Sequence, residues 1–349
     1  MSIYEHEKYI EDIEYVANLN LPWKEWEGKT FLISGASGNI ASFFIDVLKQ
    51  KLSKVTIWAL GRNEEKAKKR FSKYWSDDDF NFVAKDINEE ILLPENTNVD
   101  YILHAASNTH PKAYASDPIG TITTNILGTY NLLNFGAAHG CKRFLFSSSV
   151  EIYGENRGDV ELFDEKYLGY IDCNTMRAGY PESKRCGEAL CQAFRAQKDM
   201  DVVIIRLSRT YGPTLLSSDT KAISQFIHKA IDGEDIVLKS EGTQFYSYSY
   251  VADAVSAMFY CLAYGKDGEA YNVADSGSDI ALKDLAEIAA SHVGRKVVFE
   301  LPDVAEAAGY SKATKAVLDS TKLKKLGWLS NYDMKKGMER TIDILKEHK

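Results

Sequence analysis

The stretch that most constrains what this chain can fold into begins at Lys29 and reads K-T-F-L-I-S-G-A-S-G-N-I-A-S-F-F-I-D-V-L. A short apolar run ends at Gly35, Gly38 follows, and from Asn39 the apolar residues fall at helical spacing with Ala41 on the first turn. This is strand, tight turn and helix. Glycines in such a turn let the backbone bend sharply and approach a ligand, while the unbonded N–H groups of the helix start attract negative charge. In G-x-x-G-x-x-A the third glycine of the commoner G-x-G-x-x-G is replaced by alanine, still small enough for close helix–strand packing. The turn suits the pyrophosphate of a dinucleotide; an unliganded turn of the same kind is the alternative for the motif taken alone.

Apolar segments at 55–63, 82–87, 99–107, 143–149 and 201–207 alternate with helical ones, which implies an α/β chain with a parallel, doubly wound sheet. Ligands of such sheets bind at the carboxyl ends of the strands. The second strand ends without an acidic residue for a ribose hydroxyl and offers Arg62, suited to a 2′-phosphate, which favours NADP slightly over NAD. A solvated arginine, or one stacked on adenine, is the other reading. Asp86, past the third strand, is placed to accept from an adenine amino group, with a plain loop aspartate as the other reading. Helices are expected at 119–139 and 181–198, with Asn125 in mid-helix, where asparagine is a poor choice unless its side chain has a partner.

The chemistry concentrates between Phe144 and Lys184, which hold F-L-F-S-S-S-V-E-I-Y-G and Y-P-E-S-K. Tyr180 and Lys184 are four apart, so with Pro181 opening a helix the phenol and the ammonium share one face of its first turn. A free tyrosine titrates near pH ~10. A nearby cation and a helix N-terminus both favour tyrosinate, so Tyr180 is a candidate base near neutral pH. A helix-surface pair is the alternative.

The length, 349 residues, suits one large α/β domain with a smaller partner. With 42 Lys+Arg against 50 Asp+Glu, the net charge of -8 argues against nucleic acid or an anionic membrane as partner, so anionic ligands must be met locally. Five cysteines form no C-x-x-C pair, which excludes a zinc site or a disulfide framework and suits a reducing compartment. The acidic N-terminus has no apolar core and no run of eighteen apolar residues occurs, so a cytoplasmic protein is expected. Ile10, Ile13, Val16 and Leu19 mark an amphipathic helix over 4–20, and 21–28 reads as a linker. After 207 the pattern loosens: a loop with Tyr211, Gly212 and Pro213, a helix near 220–232, an aromatic run at 245–251, and helices near 281–293 and 334–347. The expected division is 1–28 as helix and linker, 29–207 plus 246–275 as the dinucleotide domain, and 208–245 plus 276–349 as the substrate region.

Taken in order, G-A-S-G-N-I-A (35–41), Asp86, H-A-A-S (104–107), N-I-L-G-T (125–129), S-S-S-V-E-I-Y-G (147–154), Y-P-E-S-K (180–184) and R-T-Y-G-P (209–213) resemble the extended short-chain dehydrogenase/reductase superfamily. Within it the chain is most similar to the nucleotide-sugar epimerase/dehydratase branch, from about Lys29 to Trp328. The resemblance implies a Rossmann fold, a tightly held NAD(P), transient oxidation at C4 of a nucleotide-bound hexose, service in polysaccharide biosynthesis, and a homodimer formed by the helices at 119–139 and 181–198. Tyr180 then takes the hydroxyl proton, Lys184 lowers its pKa and holds the nicotinamide ribose, and Ser149 bonds the reacting oxygen. Implied cofactor contacts are Gly35, Ser37, Gly38, Asn39, Ile40, Arg62, Asp86, Ile87, Ala105, Ala106, Ser107 and Asn125, together with Tyr180 and Lys184. Implied sugar contacts are Asn108, Ser149, Glu151, Arg177, Arg209 and Tyr246.

Simple 4-epimerases usually lack a carboxylate in the column of Glu151, whereas 4,6-dehydratases and uronic-acid decarboxylases carry one, so chemistry at C5 is expected. Val150 departs from the dehydratases, because it cannot protonate a leaving hydroxyl. Two arginines that relatives place on the pyrophosphate are also missing, one replaced by Tyr246 and one falling near Gly309. Arg209 stands where relatives have asparagine, and with Arg177, Lys312 and Lys315 is a candidate source of the missing charge. Simple epimerisation, a small-carbonyl reductase and a non-catalytic dinucleotide sensor are the alternatives.

Overall fold

A computed structural model of the chain describes residues 2–95, 97–109, 114, 116–300 and 314–348. Seven strands form the central sheet: β1 (Lys29–Ser34), β2 (Val55–Gly61), β3 (Phe80–Ala84), β4 (Tyr101–His104), β5 (Arg143–Ser149), β6 (Val202–Leu207) and β10 (Ala270–Val273). Every neighbouring pair is parallel, in the order β10-β6-β5-β4-β1-β2-β3. This is the Rossmann-like, doubly wound sheet that the alternation implies. Its inner strands are covered on both faces, which is why Leu32, Ile33, Phe144, Leu145, Phe146 and Val202 to Ile205 read as unbroken apolar runs.

One face is covered by α1 (Glu7–Ala17), α3 (Asn39–Lys51) and α8 (Val251–Tyr264), the other by α5 (Pro118–Ala138) and α6 (Gly179–Lys198). The short α2 (Trp23–Trp26) and α4 (Glu64–Arg70) lie between them in sequence. The segment 21–28 is not a plain linker: Trp23 and Trp26 are buried, with ring centroids 5.0 and 5.7 Å from Phe259, which itself stacks on Phe44 at 4.2 Å. On α1 the buried set is Tyr9, Asp12, Ile13, Val16 and Ala17, whereas Ile10 is exposed. The apolar stripe is displaced because two carboxylates anchor this corner. Asp12 accepts from Arg340 Nε at 2.9 Å and from the Tyr250 hydroxyl, and Asp46 binds both Arg70 and the Tyr9 hydroxyl.

A second, smaller sheet sits at the end of β6, which passes through Ser208 directly into β7 (Arg209–Tyr211). Its centre is the aromatic run, β9 (Phe245–Tyr250), which pairs with β7, with β11 (Asp279–Ala281) and with β13 (Lys315–Ala316). Around it lie β8 (Ile236–Leu238) paired with β12 (Val297–Phe299), and α7 (Ala222–Ile231), α9 (Leu282–His292), α10 (Thr321–Lys324) and α11 (Met334–His348).

Two strands end earlier than their apolar runs. After β3, Asp86 accepts the Asn88 N–H at 2.9 Å and closes a turn. After β4, the N–H groups of Ala105 and Ala106 leave the sheet for Ser34 Oγ, at 3.2 Å each.

Candidate active site

The strand order reverses direction between β1 and β4, and the crevice beyond their carboxyl ends is where ligands of such sheets bind. Gly35 holds φ +65 there, and a Cβ on it would stand 2.7 Å from the Ala106 nitrogen and 2.8 Å from the Ala105 carbonyl. No other residue fits that approach. Gly38 caps α3 with no side-chain hydrogen bond, so the first N–H groups of the helix remain for an anion. Asn39 is fixed by Thr214, whose hydroxyl is 2.7 Å from its Oδ1. Ser37 and Ile40 complete the rim, both half-buried. This cradle fits a dinucleotide pyrophosphate. Arg62 is exposed just past β2, Asp86 is half-buried, and buried Ile87 packs on Gly128 of α5.

A buried hydrogen-bond chain ties the cradle to α5. Ser34 accepts from Ala105 and Ala106, so its own proton goes to His104 Nδ1 at 2.9 Å. His104 Nε2 then donates to Thr129 at 2.9 Å, and Thr129 to the Asn125 carbonyl. Burial, with the Lys184 charge adding to it, holds His104 neutral by lowering its pKa well below the ordinary value. Asn125 has the partners its mid-helix place demands: Oδ1 accepts from Ser107 at 2.7 Å and Nδ2 donates to Ser183 at 2.8 Å. Ser183 donates in turn to the Tyr180 carbonyl at 2.8 Å, so Asn125 sets the start of α6 against the end of β4.

Tyr180 on the first turn of α6 and Lys184 on the second are both buried. Of the three serines ending β5, Ser148 turns to Glu188 at 2.6 Å, while Ser149 hydrogen-bonds the Tyr180 phenol and also accepts the Glu151 N–H at 3.2 Å. Ser107 bonds the same phenol. Tyr180 is not the acidified phenol that the spacing suggests. Burial pushes it up to about 12, against the lowering effects of the Ser149 hydroxyl and the Arg177 charge. Lys184 donates to the Ser147 carbonyl at 2.8 Å, and burial brings its ammonium down to about 8.

Beside the phenol runs a wall of alternating rings and charges. Tyr114 stacks on Tyr180 with centroids 4.9 Å apart, and the Arg177 guanidinium lies 4.9 Å from the Tyr114 ring. Arg177 binds Glu151 at 3.1 Å, Arg209 approaches the other Glu151 oxygen at 3.7 Å, and Arg209 lies flat on Tyr246 at 3.6 Å. Glu151 stands on the single 3-10 turn Val150–Tyr153 that Ser149 caps, which fixes it next to the Tyr180–Ser149 pair. Among the described residues no cluster of three metal-ligating side chains occurs.

Residues 31–274 match the sequence profile of the NAD dependent epimerase/dehydratase family. The chain belongs to that family. It is 32% identical over 234 residues to UDP-glucuronic acid decarboxylase 1 of Xenopus tropicalis, covering 67% of this chain and 53% of that one, so it spans about half the length of that relative. It is 30% identical over 308 residues to UDP-glucuronic acid decarboxylase 5 of Arabidopsis thaliana, covering 88% and 86%. Its fold is similar to that of dTDP-glucose 4,6-dehydratase from Streptomyces venezuelae, with a TM-score of 0.78 at 24% identity over 91% of this chain and 97% of that one. UDP-glucuronic acid 4-epimerase from Bacillus cereus gives 0.79 at 19%, over 92% and 100%.

In this epimerase/dehydratase family member three of the four cations expected at the pyrophosphate have carboxylate neighbours. Lys315 pairs with Glu161 at 2.5 Å, and Arg177 and Arg209 are taken up by Glu151. Lys312 and Gly309 lie outside the described residues. Tyr246 is buried, with the Arg209 guanidinium against its ring. Asn108 follows Ser107, half-buried, at the mouth of the crevice. Sequence reasoning missed Tyr114, for no motif marks it and only its ring contact in the folded chain ties it to the phenol.

Proposed function

We propose that this family member oxidises C4 of a nucleotide-bound uronic acid and releases carbon dioxide from its C6, as a nucleotide-sugar decarboxylase. The observation that carries the reading is Glu151, held between two arginines beside the Tyr180–Ser149 pair. A nicotinamide dinucleotide bound in the cradle supplies the hydride acceptor and, in its oxidised form, a positive charge beside the phenol. Tyr180 takes the proton of the C4 hydroxyl, with Ser149 bonded to that oxygen and Lys184 holding the ribose. Once C4 is a ketone, the C5–C6 bond breaks, its electron pair moves to the C4 oxygen as an enolate, and carbon dioxide leaves. A proton delivered by way of Glu151 quenches the enolate at C5, and Tyr180 gives its proton back to the C4 oxygen as C4 regains its hydride, so the sugar nucleotide loses only carbon dioxide. Dehydration would need an acid at the departing C6 hydroxyl, and Val150 is buried and apolar; carbon dioxide needs none. The curated relatives named above act, by their names, on UDP-glucuronic acid.

The test is incubation with UDP-, GDP-, CDP- and dTDP-hexoses and UDP-glucuronate, followed by product mass. Loss of carbon dioxide from UDP-glucuronate is expected. Loss of water would make the protein a dehydratase, and unchanged mass with altered NMR couplings an epimerase.

Three finer readings accompany this one. Arg62 favours NADP, which mass spectrometry of the supernatant of denatured protein checks; NAD alone, with Arg62→Asp binding as before, refutes it. Exposed Leu127 and Tyr130 on α5 support a homodimer through α5 and α6. Five free cysteines, and among the described residues no helix long and apolar enough to cross a membrane, support a cytoplasmic site. We divide the molecule functionally as 29–207 plus 246–275 for the dinucleotide and 208–245 plus 276–349 for the sugar nucleotide.

A further inference from the structure

The charges of the ring-and-cation wall do not balance. Arg177 and Arg209 face the single carboxylate of Glu151, at 3.1 and 3.7 Å. Asp219, another acid acting on Tyr114, is bound to Lys221 at 2.8 Å. Among the described residues one positive charge is left over, in a chain of net charge -8. The two arginines differ in freedom. The Arg177 side chain is 47% exposed, whereas that of Arg209 is 20% exposed, pressed flat on Tyr246, and its Nη1 is buried with no hydrogen-bond partner among the described residues. A buried, ionised donor left unbonded is costly, and in a rigid setting it marks where a ligand atom belongs.

We propose that Arg209 is the specificity residue of this site: its unbonded Nη1 receives an oxygen of the carboxylate carried by the substrate sugar, and thereby selects a uronate over a neutral hexose. The inference rests on the decarboxylase reading and deepens it. Position favours the carboxylate over the diphosphate. Arg209 touches Glu151, whose N–H is bonded to Ser149 Oγ, and Ser149 bonds the phenol assigned to the C4 hydroxyl. On a pyranose ring C6 hangs from C5, the neighbour of C4, whereas the diphosphate on C1 is across the ring. A second carboxylate here makes two anions against two guanidiniums, and the fork of Arg209 bonds one anion on each edge, which a lysine cannot do. The stack on Tyr246 holds that fork in place before the sugar arrives, so little ordering is needed on binding.

The test uses cofactor-loaded protein carrying Tyr180→Phe, so that nothing is turned over, and measures by calorimetry the binding of UDP-glucuronate, UDP-glucose and UDP. Adding Arg209→Gln is expected to weaken UDP-glucuronate about tenfold or more while leaving UDP-glucose and UDP within about twofold. Arg209→Lys is expected to lose part of the preference. Equal losses for all three ligands would overturn the proposal in favour of a diphosphate contact, and no loss for any would overturn it outright. Should Arg209→Gln not fold, Arg209→Lys decides: an undiminished preference for the uronate overturns the assignment. The two readings fail separately. If the parent with Arg209 binds UDP-glucuronate no better than UDP-glucose, the uronate reading falls; if it prefers the uronate and the variants keep that preference, only the role of Arg209 falls.

Discussion

Lys184 is buried beside Tyr180 with its ammonium on the Ser147 carbonyl, and its pKa falls to about 8 from an ordinary 10.5. Below about 8 the lysine is charged in both folded and unfolded chains, and the full cost of burying the charge is present. Between about 8 and 10.5 the unfolded chain binds a proton that the folded one does not, so this residue's contribution to stability rises with pH. Lys184→Met should therefore be relatively more stable at pH 7, and its advantage over the parent should shrink by roughly 3 kcal/mol as the pH passes through that window. Urea unfolding of both proteins across the window checks it, and a pH-independent difference would show the ammonium is not buried. Tyr180, Lys184, Ser149 and Asn125 were legible at this scale because each sits in a short motif on one of two helices or at one strand end. The pairing of Glu151 with Arg177 and Arg209 was not, since those three residues are brought together only by three separate connections. The phenol's acidity was misjudged for the same reason: spacing shows a neighbouring charge, but not how much water the fold removes. Gly35 is the opposite case. Its φ and the 2.7 Å approach to Ala106 make Gly35→Ala strained on two counts, and a loss of about 2 kcal/mol or more is expected in the same unfolding assay.

At the scale of elements, the alternation of apolar runs and helices was enough to imply a parallel, doubly wound sheet, since parallel strands joined by helices leave few arrangements, but not to order its strands. The small sheet around β9 escaped it. Its partners are three strands of two or three residues from distant parts of the chain, too short to show a period. The N-terminal helix was legible as amphipathic, but not how it is anchored. Buried Asp12 is pushed up to about 6 by desolvation, against the opposing charge of Arg340. Removing the arginine strands that carboxylate. Arg340→Leu should cost about 3 kcal/mol at pH 8, where Asp12 must otherwise ionise, and less at pH 5, where it keeps its proton. Adding Asp12→Leu should recover most of the loss, because a pair replaced on both sides leaves no charge buried. Thermal denaturation of the single and double variants at both pH values measures this, and an unrecovered double variant would mean the pair itself holds the helix and the loss is not that of a stranded charge.

For the whole molecule, an acidic chain surrounds a site that, among the described residues, has one surplus positive charge, so the proposed anionic sugar nucleotide would be met by local arginines and not by the overall field. The proposed homodimer, argued from exposed Leu127 and Tyr130 on α5, predicts a dimer at micromolar concentration in sedimentation; monomer alone would refute it. The central claim concerns chemistry, and it is tested most directly by following carbon dioxide release from UDP-glucuronate by the parent, Tyr180→Phe and Glu151→Gln proteins, with the mass of the sugar nucleotide read alongside. The expected result is release by the parent, none by Tyr180→Phe because proton removal at C4 fails, and a Glu151→Gln protein that still oxidises C4 but forms no decarboxylated product at the parent's rate. Full activity of Glu151→Gln on a substrate whose mass never changes would contradict it, and would make the protein a 4-epimerase.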